Sequence, residues 1–364
     1  LIFVDANDVQ YTPSEYLTFD DVHIIPQYSN IPSRNDPSIS MACQLTSRTA
    51  MTLPIVSSNM DTVTEGQMFT TMFNHGGYGI LHRFYASKYG TEGFNRFMAD
   101  IQRIAALGCK PAFSVGISPE EITVIQKVLE VAPQGAIVKV DVAHGHTKQC
   151  IQQCRRLREV FKDQIEIIGG NVATPEGAVE LAFNGQVDSI CAGVGGGSAC
   201  STRIVTGHGV PQLTAIIKIR EAINKMRSNV SLIADGGIRN SGDIVKALAA
   251  GADCVMVGSI ISCTTETPTE LTPEGNRIYR GMSSAMVNQE LGKKVAAEGV
   301  HVYRKDRGSV KPILEELAGG IRSGMTYSGV RTLKQLSEKA KFIRVTQSGQ
   351  REAIPHGLLD MHNV

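Results

Sequence analysis

The chain has 364 residues, of which 42% are hydrophobic and 20% charged, with a formal net charge of +1. That composition supports a sizeable core and excludes a disordered chain, and near-neutrality gives no electrostatic case for nucleic acid or a membrane surface as partner. No apolar run reaches about 18 residues, so no transmembrane helix is expected. The opening residues, Leu1 to Asp8, lack a basic segment and a long apolar stretch, so they do not read as a signal peptide.

Short apolar runs then recur along the chain. They are Pro54 to Met60, Gly77 to Leu81, Ala112 to Gly116, Ala136 to Ala143, Ile165 to Val172, Ser189 to Val194, Ser231 to Asp235 and Cys254 to Gly258. Continuous apolar runs of this length suit strands buried on both faces of a parallel sheet. The segments between them carry helical periodicity. Thr174-Pro175 is a helix start, and Asn240 to Ala250 is a helical stretch with Gly251 as its stop. Repeated strand–helix units predict a (β/α)₈ barrel filling the chain as one domain, 1–364. A doubly wound sheet would carry a glycine fingerprint at its first strand–helix turn, and none is present. Cys150 and Cys154, spaced i,i+4, read as core-facing residues of an outer helix; with His144 and His146 nearby a metal site is conceivable, but the spacing is not a zinc pattern. The eight cysteines, without a secretory signal, are expected to be reduced thiols of a cytoplasmic protein.

Polar residues cluster where the predicted strands end: Asn59 and Asp61, His82 and Arg83, Asp141, Asn171, Asp235, and Gly258-Ser259. In a barrel of this type those ends form the active-site face. Asp235-Gly236-Gly237 and Gly258-Ser259, after the seventh and eighth strands, match the usual phosphate position of the fold, so a phosphorylated small molecule is the expected ligand.

Between the sixth strand and its helix lies Gly193-Val-Gly-Gly-Gly-Ser-Ala-Cys-Ser-Thr-Arg203. Glycines let backbone approach a ligand closely, and a cysteine at the end of such a turn is presented rather than packed. Cys200 is the candidate nucleophile, with Ser201, Thr202 and Arg203 offering proton relay and positive charge. The loop carbonyls are also able to hold a monovalent cation. A long polar segment, about 281–308, follows the eighth strand and reads as a mobile flap. Its Glu298 is a candidate general acid or base.

Together these residues resemble the IMP dehydrogenase / GMP reductase family. The resemblance rests on Leu17-Thr-Phe-Asp-Asp-Val22, Ser57-Ser-Asn-Met-Asp-Thr-Val63, Gly170-Asn-Val172 and Gly197-Ser-Ala-Cys-Ser-Thr-Arg203. It continues through Gly209-Val-Pro-Gln212, Ala234-Asp-Gly-Gly237, Tyr279-Arg-Gly-Met-Ser283 and Gly319-Gly-Ile-Arg-Ser323. It implies a barrel assembled as a homotetramer, acting on a purine nucleotide monophosphate through attack of Cys200 on C2. The features similar to the reductase are the direct run from the second strand to the third with no inserted regulatory domain, Gly281-Met-Ser-Ser284, the tail Lys341 to Gln347, and a short flap without an Arg-Tyr pair. Others are similar to the dehydrogenase: Arg83 in place of a lysine, Val63-Thr-Glu-Gly66, and Ser348 to Glu352. Lys294-Val295 replace the reductase's Tyr-Arg pair, and Gly196 replaces a proline.

The resemblance therefore implies NADPH-dependent conversion of GMP to IMP and ammonia. NAD-dependent oxidation of IMP, or a catalytically silent nucleotide-binding paralogue, are the alternatives. It assigns Cys200, Thr202, Glu298 and Arg83 to catalysis. It assigns Met60, Asn171, Ser198, Asp235, Gly236, Gly237, Gly258, Ser259, Tyr279, Gly281, Met282 and Ser283 to the nucleotide. Ser33, Arg34, Asp141 and Ser323 go to the cofactor, and the carbonyls of Gly195, Gly197 and Cys200 to potassium.

Overall fold

The computed structural model describes residues 15–292 and 294–355. Eight parallel strands form one sheet: β1 (Ile55–Ser57), β2 (Tyr78–Gly79), β3 (Ala112–Val115), β4 (Ala136–Asp141), β5 (Ile165–Val172), β6 (Ser189–Ala192), β7 (Ser231–Asp235) and β8 (Cys254–Val257). From β3 to β8 each strand pairs with the next, β8 pairs back to β1 with Met256 opposite Val56, and β1 pairs with β2. The last seam is closed by Leu81, whose N–H donates to Ala112 O at 2.9 Å and whose carbonyl accepts from Ser114 N–H at 2.8 Å. The sheet is thus a closed barrel, and all eight strands lie within the apolar runs that predict them.

A helix follows each strand: α1 (Gly66–Asn74), α2 (Gly93–Ala105), α3 (Glu121–Val131), α4 (Lys148–Phe161), α5 (Pro175–Phe183), α6 (Gln212–Lys225), α7 (Ser241–Ala249) and α8 (Lys311–Tyr327). Their starts follow local chemistry. Thr174 caps α5 by accepting from Gly177 N–H at 3.3 Å, with Pro175 in the first turn. Asn240 caps α7 through Asp243 N–H at 2.9 Å, and Gly251, at φ +108°, closes the helix end by donating to Leu248 O. Cys150 and Cys154 are buried on α4 against the sheet.

The core fills both faces of the sheet, inside the barrel and beneath the helices, and contains Phe113, Ile137, Ile167, Leu232 and Ile233, all fully buried. Each such side chain contributes roughly 1.5–3 kcal/mol by leaving water. The hairpin of Cys43–Thr46 and Thr49–Met51 closes the N-terminal end. Its Arg48 Nη2 donates to Ile165 O at 2.6 Å, and Thr49 Oγ1 donates to the buried Glu166 at 2.9 Å. With that end plugged, the mouth of the barrel opens at the C-terminal rim. No helix among the described residues is long and apolar enough to cross a membrane.

Candidate active site

The loops at the C-terminal ends of the strands surround a cavity of about 270 Å³. Its wall includes Met60, Arg83, Asp141, Asn171, Gly195 to Gly197, Cys200, Thr202, Asp235, Gly236, Tyr279, Gly281 to Ser283 and Glu298. Residues from six strand ends and the distant flap segment therefore meet where the sequence pattern anticipates.

At the centre is a three-residue chain. Cys200 Sγ donates to Thr202 Oγ1 at 3.1 Å, and Thr202 Oγ1 donates to Glu298 Oε2 at 2.8 Å. All three are partly exposed to the cavity. Backbone pairing fixes this arrangement across nearly a hundred residues of sequence. Ser201 N–H donates to Glu298 O at 2.8 Å, Val300 N–H to Ala199 O at 3.0 Å, and Glu298 N–H to Ser283 O at 2.9 Å. A methyl group on Gly281 would come within 2.6 Å of Ala199 O, so the cysteine loop and the flap approach this closely only because residue 281 is glycine.

The flap contains regular structure. It holds a short helix, Ala285–Glu290, and a strand, β10 (His301–Lys305), paired antiparallel with β9 (Asn276–Arg280). Its base is pinned by Arg280, whose Nε donates to Asp61 Oδ2 at 3.1 Å and whose Nη1 donates to Glu290 Oε1 at 2.6 Å.

The cavity floor carries a buried charge cluster. Lys139 on β4, 1% exposed, pairs with Asp141 two residues on, on the same face of the strand. Burial opposes ionisation of Asp141, but the Lys139 ammonium, Arg83 and a hydrogen bond from Asn59 outweigh it and hold the carboxyl below its ordinary value. Burial also opposes the charge on Lys139, but the attraction of Asp141, Cys191 and Asp235 overcomes it and raises the lysine's pKa. Asp235 has the opposite balance to Asp141. Burial pushes it up, and neither Lys139 nor the bond from Asn171 Nδ2 at 2.6 Å offsets that.

Several predicted residues stand just behind the wall. A methyl on Gly258 would lie 3.2 Å from both Met60 Sδ and Tyr279 Oη, and Ser198 Oγ is 3.4 Å from the same Tyr279 oxygen. Ser259 accepts from Arg304 Nη1 at 2.9 Å. Gly237, at φ +81°, follows Gly236, which is packed against Gly196 and Gly197. The cofactor set divides. Asp141 lines the cavity, whereas Arg34 Nη1 donates to Ser323 Oγ at 3.2 Å away from the cavity wall, and the adjacent Ser33 Oγ accepts from Asn35 N–H. In the potassium set, the Gly197 carbonyl accepts from Cys200 N–H at 3.0 Å, and Arg203 supplies a guanidinium to the loop by donating to Val194 O.

Sequence reasoning missed Lys139, Asn288 and Arg304. Lys139 had a signal: a lysine inside an otherwise apolar strand, in phase with Asp141. Asn288 and Arg304 sit in a polar segment where nothing in the pattern separates them from solvated neighbours.

The IMP dehydrogenase / GMP reductase domain matches residues 16–356. The chain belongs to this family. Its members are oxidoreductases acting on purine nucleotide monophosphates. The chain is 34% identical to an inosine-5′-monophosphate dehydrogenase of Borreliella burgdorferi, over 95% of this chain and 98% of that one. It is 31% identical to the dehydrogenase of Nitrosopumilus maritimus, over 95% and 99%. It is also 33% identical to a GMP reductase of Onchocerca volvulus, over 91% of each. Among solved structures, Trypanosoma brucei GMP reductase C318A in complex with guanosine 5′-monophosphate superposes with a TM-score of 0.82 at 26% identity, covering 95% of this chain and 98% of that one.

Proposed function

We propose that the protein is a GMP reductase, converting GMP to IMP and ammonia with NADPH as reductant. The observation that supports this direction is the continuous chain Cys200–Thr202–Glu298. Reductive deamination needs a thiol at C2 and a proton for the departing amine, and this chain offers both. The flap contributes Gly281, Met282, Ser283, Asn288 and Glu298 to the cavity wall but no arginine that would activate water for the oxidative reaction.

In this reading Cys200 Sγ bonds to purine C2 and the C2–N2 bond breaks. The thiol proton passes through Thr202 to Glu298, which returns it through Thr202 to the nitrogen, and the nitrogen leaves as ammonia. When bound, the nicotinamide supplies hydride to C2. The C2–S bond then breaks with sulfur leaving as thiolate, and a proton taken up from solvent restores the Cys200 thiol. Arg83 adds positive charge at the wall. Asp235 and Asn171 face the ribose, while Met60, Met282 and Ser283 frame the base. Ser198, Gly236, Gly237, Gly258, Ser259, Tyr279 and Gly281 hold the phosphate end. The donor set fits a nicotinamide nucleotide in part: Asp141 is at the cavity, and Arg34 with Ser33 and Ser323 offers a guanidinium and hydroxyls to a more distant part of the cofactor. Carbonyls of Gly195, Gly197 and Cys200 are neutral oxygens suited to a monovalent cation such as potassium, and a homotetramer is the proposed assembly.

The dehydrogenase reading, IMP and NAD giving XMP, is favoured by the names of the two 31–34% identical bacterial and archaeal relatives. Two mixtures separate the readings: GMP with NADPH, and IMP with NAD, each followed by nicotinamide absorbance. The proposal expects oxidation in the first. Nicotinamide reduction in the second, with none in the first, would establish the dehydrogenase. Silence in both with purine nucleotide bound would establish a binding protein.

A further inference from the structure

The β9–β10 ribbon carries three arginines with different partners. Arg277 pairs with Asp306, and Arg280 with Asp61 and Glu290. Arg304 has no carboxylate partner among the described residues. It donates instead to the neutral hydroxyl of Ser259 at 2.9 Å, and its guanidinium carbon lies 5.6 Å from the centre of the Tyr279 ring. Arg304 also stands directly across the ribbon from Arg277, a like-charge pairing that disfavours the hairpin. An exposed guanidinium with no carboxylate partner among the described residues, bonded to the Ser259 hydroxyl, has the fork geometry and the charge that a phosphoryl dianion recognises.

The same ribbon leads to the catalytic chain. Glu298, Gly299 and Val300 immediately precede β10, and their backbone is bonded to Ala199 and Ser201 of the cysteine loop. A load placed on Arg304 therefore acts on the strand that carries Glu298 to Thr202. We propose that Arg304 reads the 5′-phosphate of the nucleotide and, through β10, couples phosphate occupancy to the placement of Glu298. This rests on the reading that a purine nucleotide binds with its phosphate at Gly258-Ser259. Binding energy from a remote phosphate would then appear in kcat as well as in affinity.

The test compares wild type, Arg304→Gln and Arg304→Lys. Calorimetry gives affinities for GMP, guanosine and inorganic phosphate; turnover gives kcat and KM for GMP. The ratio of GMP to guanosine affinity should fall about tenfold to a hundredfold in Arg304→Gln, the range of one charge-assisted hydrogen bond, and be largely kept in Arg304→Lys. The kcat of Arg304→Gln should fall too and recover in part with guanidinium ion in solution, a rescue that a merely structural arginine would not show. An unchanged affinity ratio overturns the phosphate assignment, and an unchanged kcat overturns the coupling. If wild type binds no purine nucleotide, the functional reading fails while this assignment is still decided: inorganic phosphate binding lost in Arg304→Gln sustains it, and equal binding overturns it.

Discussion

The two ends of the barrel both bury charge, and they treat it differently. At the N-terminal end Glu166, 1% exposed, is saturated by Lys110, Thr46 and Thr49 beneath the closing hairpin. At the C-terminal end the cluster of Lys139, Asp141 and Asp235 lines an open cavity, and Asp235 stays above its ordinary pKa for want of compensation. Asn288, 7% exposed in the same wall, has an amide nitrogen with no hydrogen-bond partner among the described residues. A buried polar group left unpaired costs about 1–3 kcal/mol, so the cavity wall gives up stability at Asn288. Groups satisfied by the protein hold the barrel shut; groups left unsatisfied are where a ligand completes the bonding.

The contrast can be broken by substitution. The largest effect should come from Cys200→Ala, which is expected to lower kcat by about 10⁴-fold or more, as for other covalent nucleophiles, while nucleotide affinity by calorimetry persists. Glu298→Gln should lower kcat by roughly 10²–10⁴-fold, the usual worth of a positioned acid or base. Thr202→Val should do the same, and the double variant should cost little more than either, because the two act as one relay. Additive losses in the cycle would show that they work separately.

Lys139→Met should destabilise the fold at neutral pH by about 3–5 kcal/mol, the cost of stripping one partner from a buried pair. Its pH dependence distinguishes it from a packing defect. In the wild type Asp141 is depressed, so its contribution is present above the ordinary carboxylate range and is lost as pH falls through its folded pKa. Without Lys139, burial pushes both Asp141 and Asp235 up, and the folded state binds more protons than the unfolded chain. In the wild type the raised Asp235 and the depressed Asp141 oppose each other, so the variant should gain more stability than the wild type on mild acidification; denaturant unfolding followed between about pH 5 and 8 reads the difference. Glu166→Gln, at the sealed end, should cost about 1–3 kcal/mol and leave KM for nucleotide and cofactor alone. The smallest loss of function is expected for Asn288→Ala: nucleotide affinity lowered about threefold to tenfold, with stability unchanged or raised by up to about 1–3 kcal/mol because an unpaired buried amide is removed.

This division explains what the sequence makes legible. The strands are readable because two-sided burial writes continuous apolar runs such as Ile165 to Val172, and the helix starts because Thr174 and Asn240 are capping residues. Cys200 and Thr202 are readable because they end a glycine-rich turn, and Glu298 because it is a carboxylate in the long polar flap. The ion pair of Lys139 with Asp141 has its signal in strand phase, whereas its seclusion from water depends on the folded barrel. Arg304 and Asn288 acquire meaning only when the ribbon and the short flap helix fold onto the loops after β6 and β8. The division of Asp141 from Arg34 and Ser323 is likewise a matter of tertiary placement.

The central claim is that the unsatisfied end of the barrel does its work through a covalent bond from Cys200 to the purine. The most direct measurement is mass spectrometry of the protein quenched during turnover with GMP and NADPH. The account predicts an adduct with the mass of GMP less ammonia, on the peptide bearing Cys200, present in wild type and absent in Cys200→Ala. Turnover with no adduct at this residue, or an adduct that survives in Cys200→Ala, would contradict it.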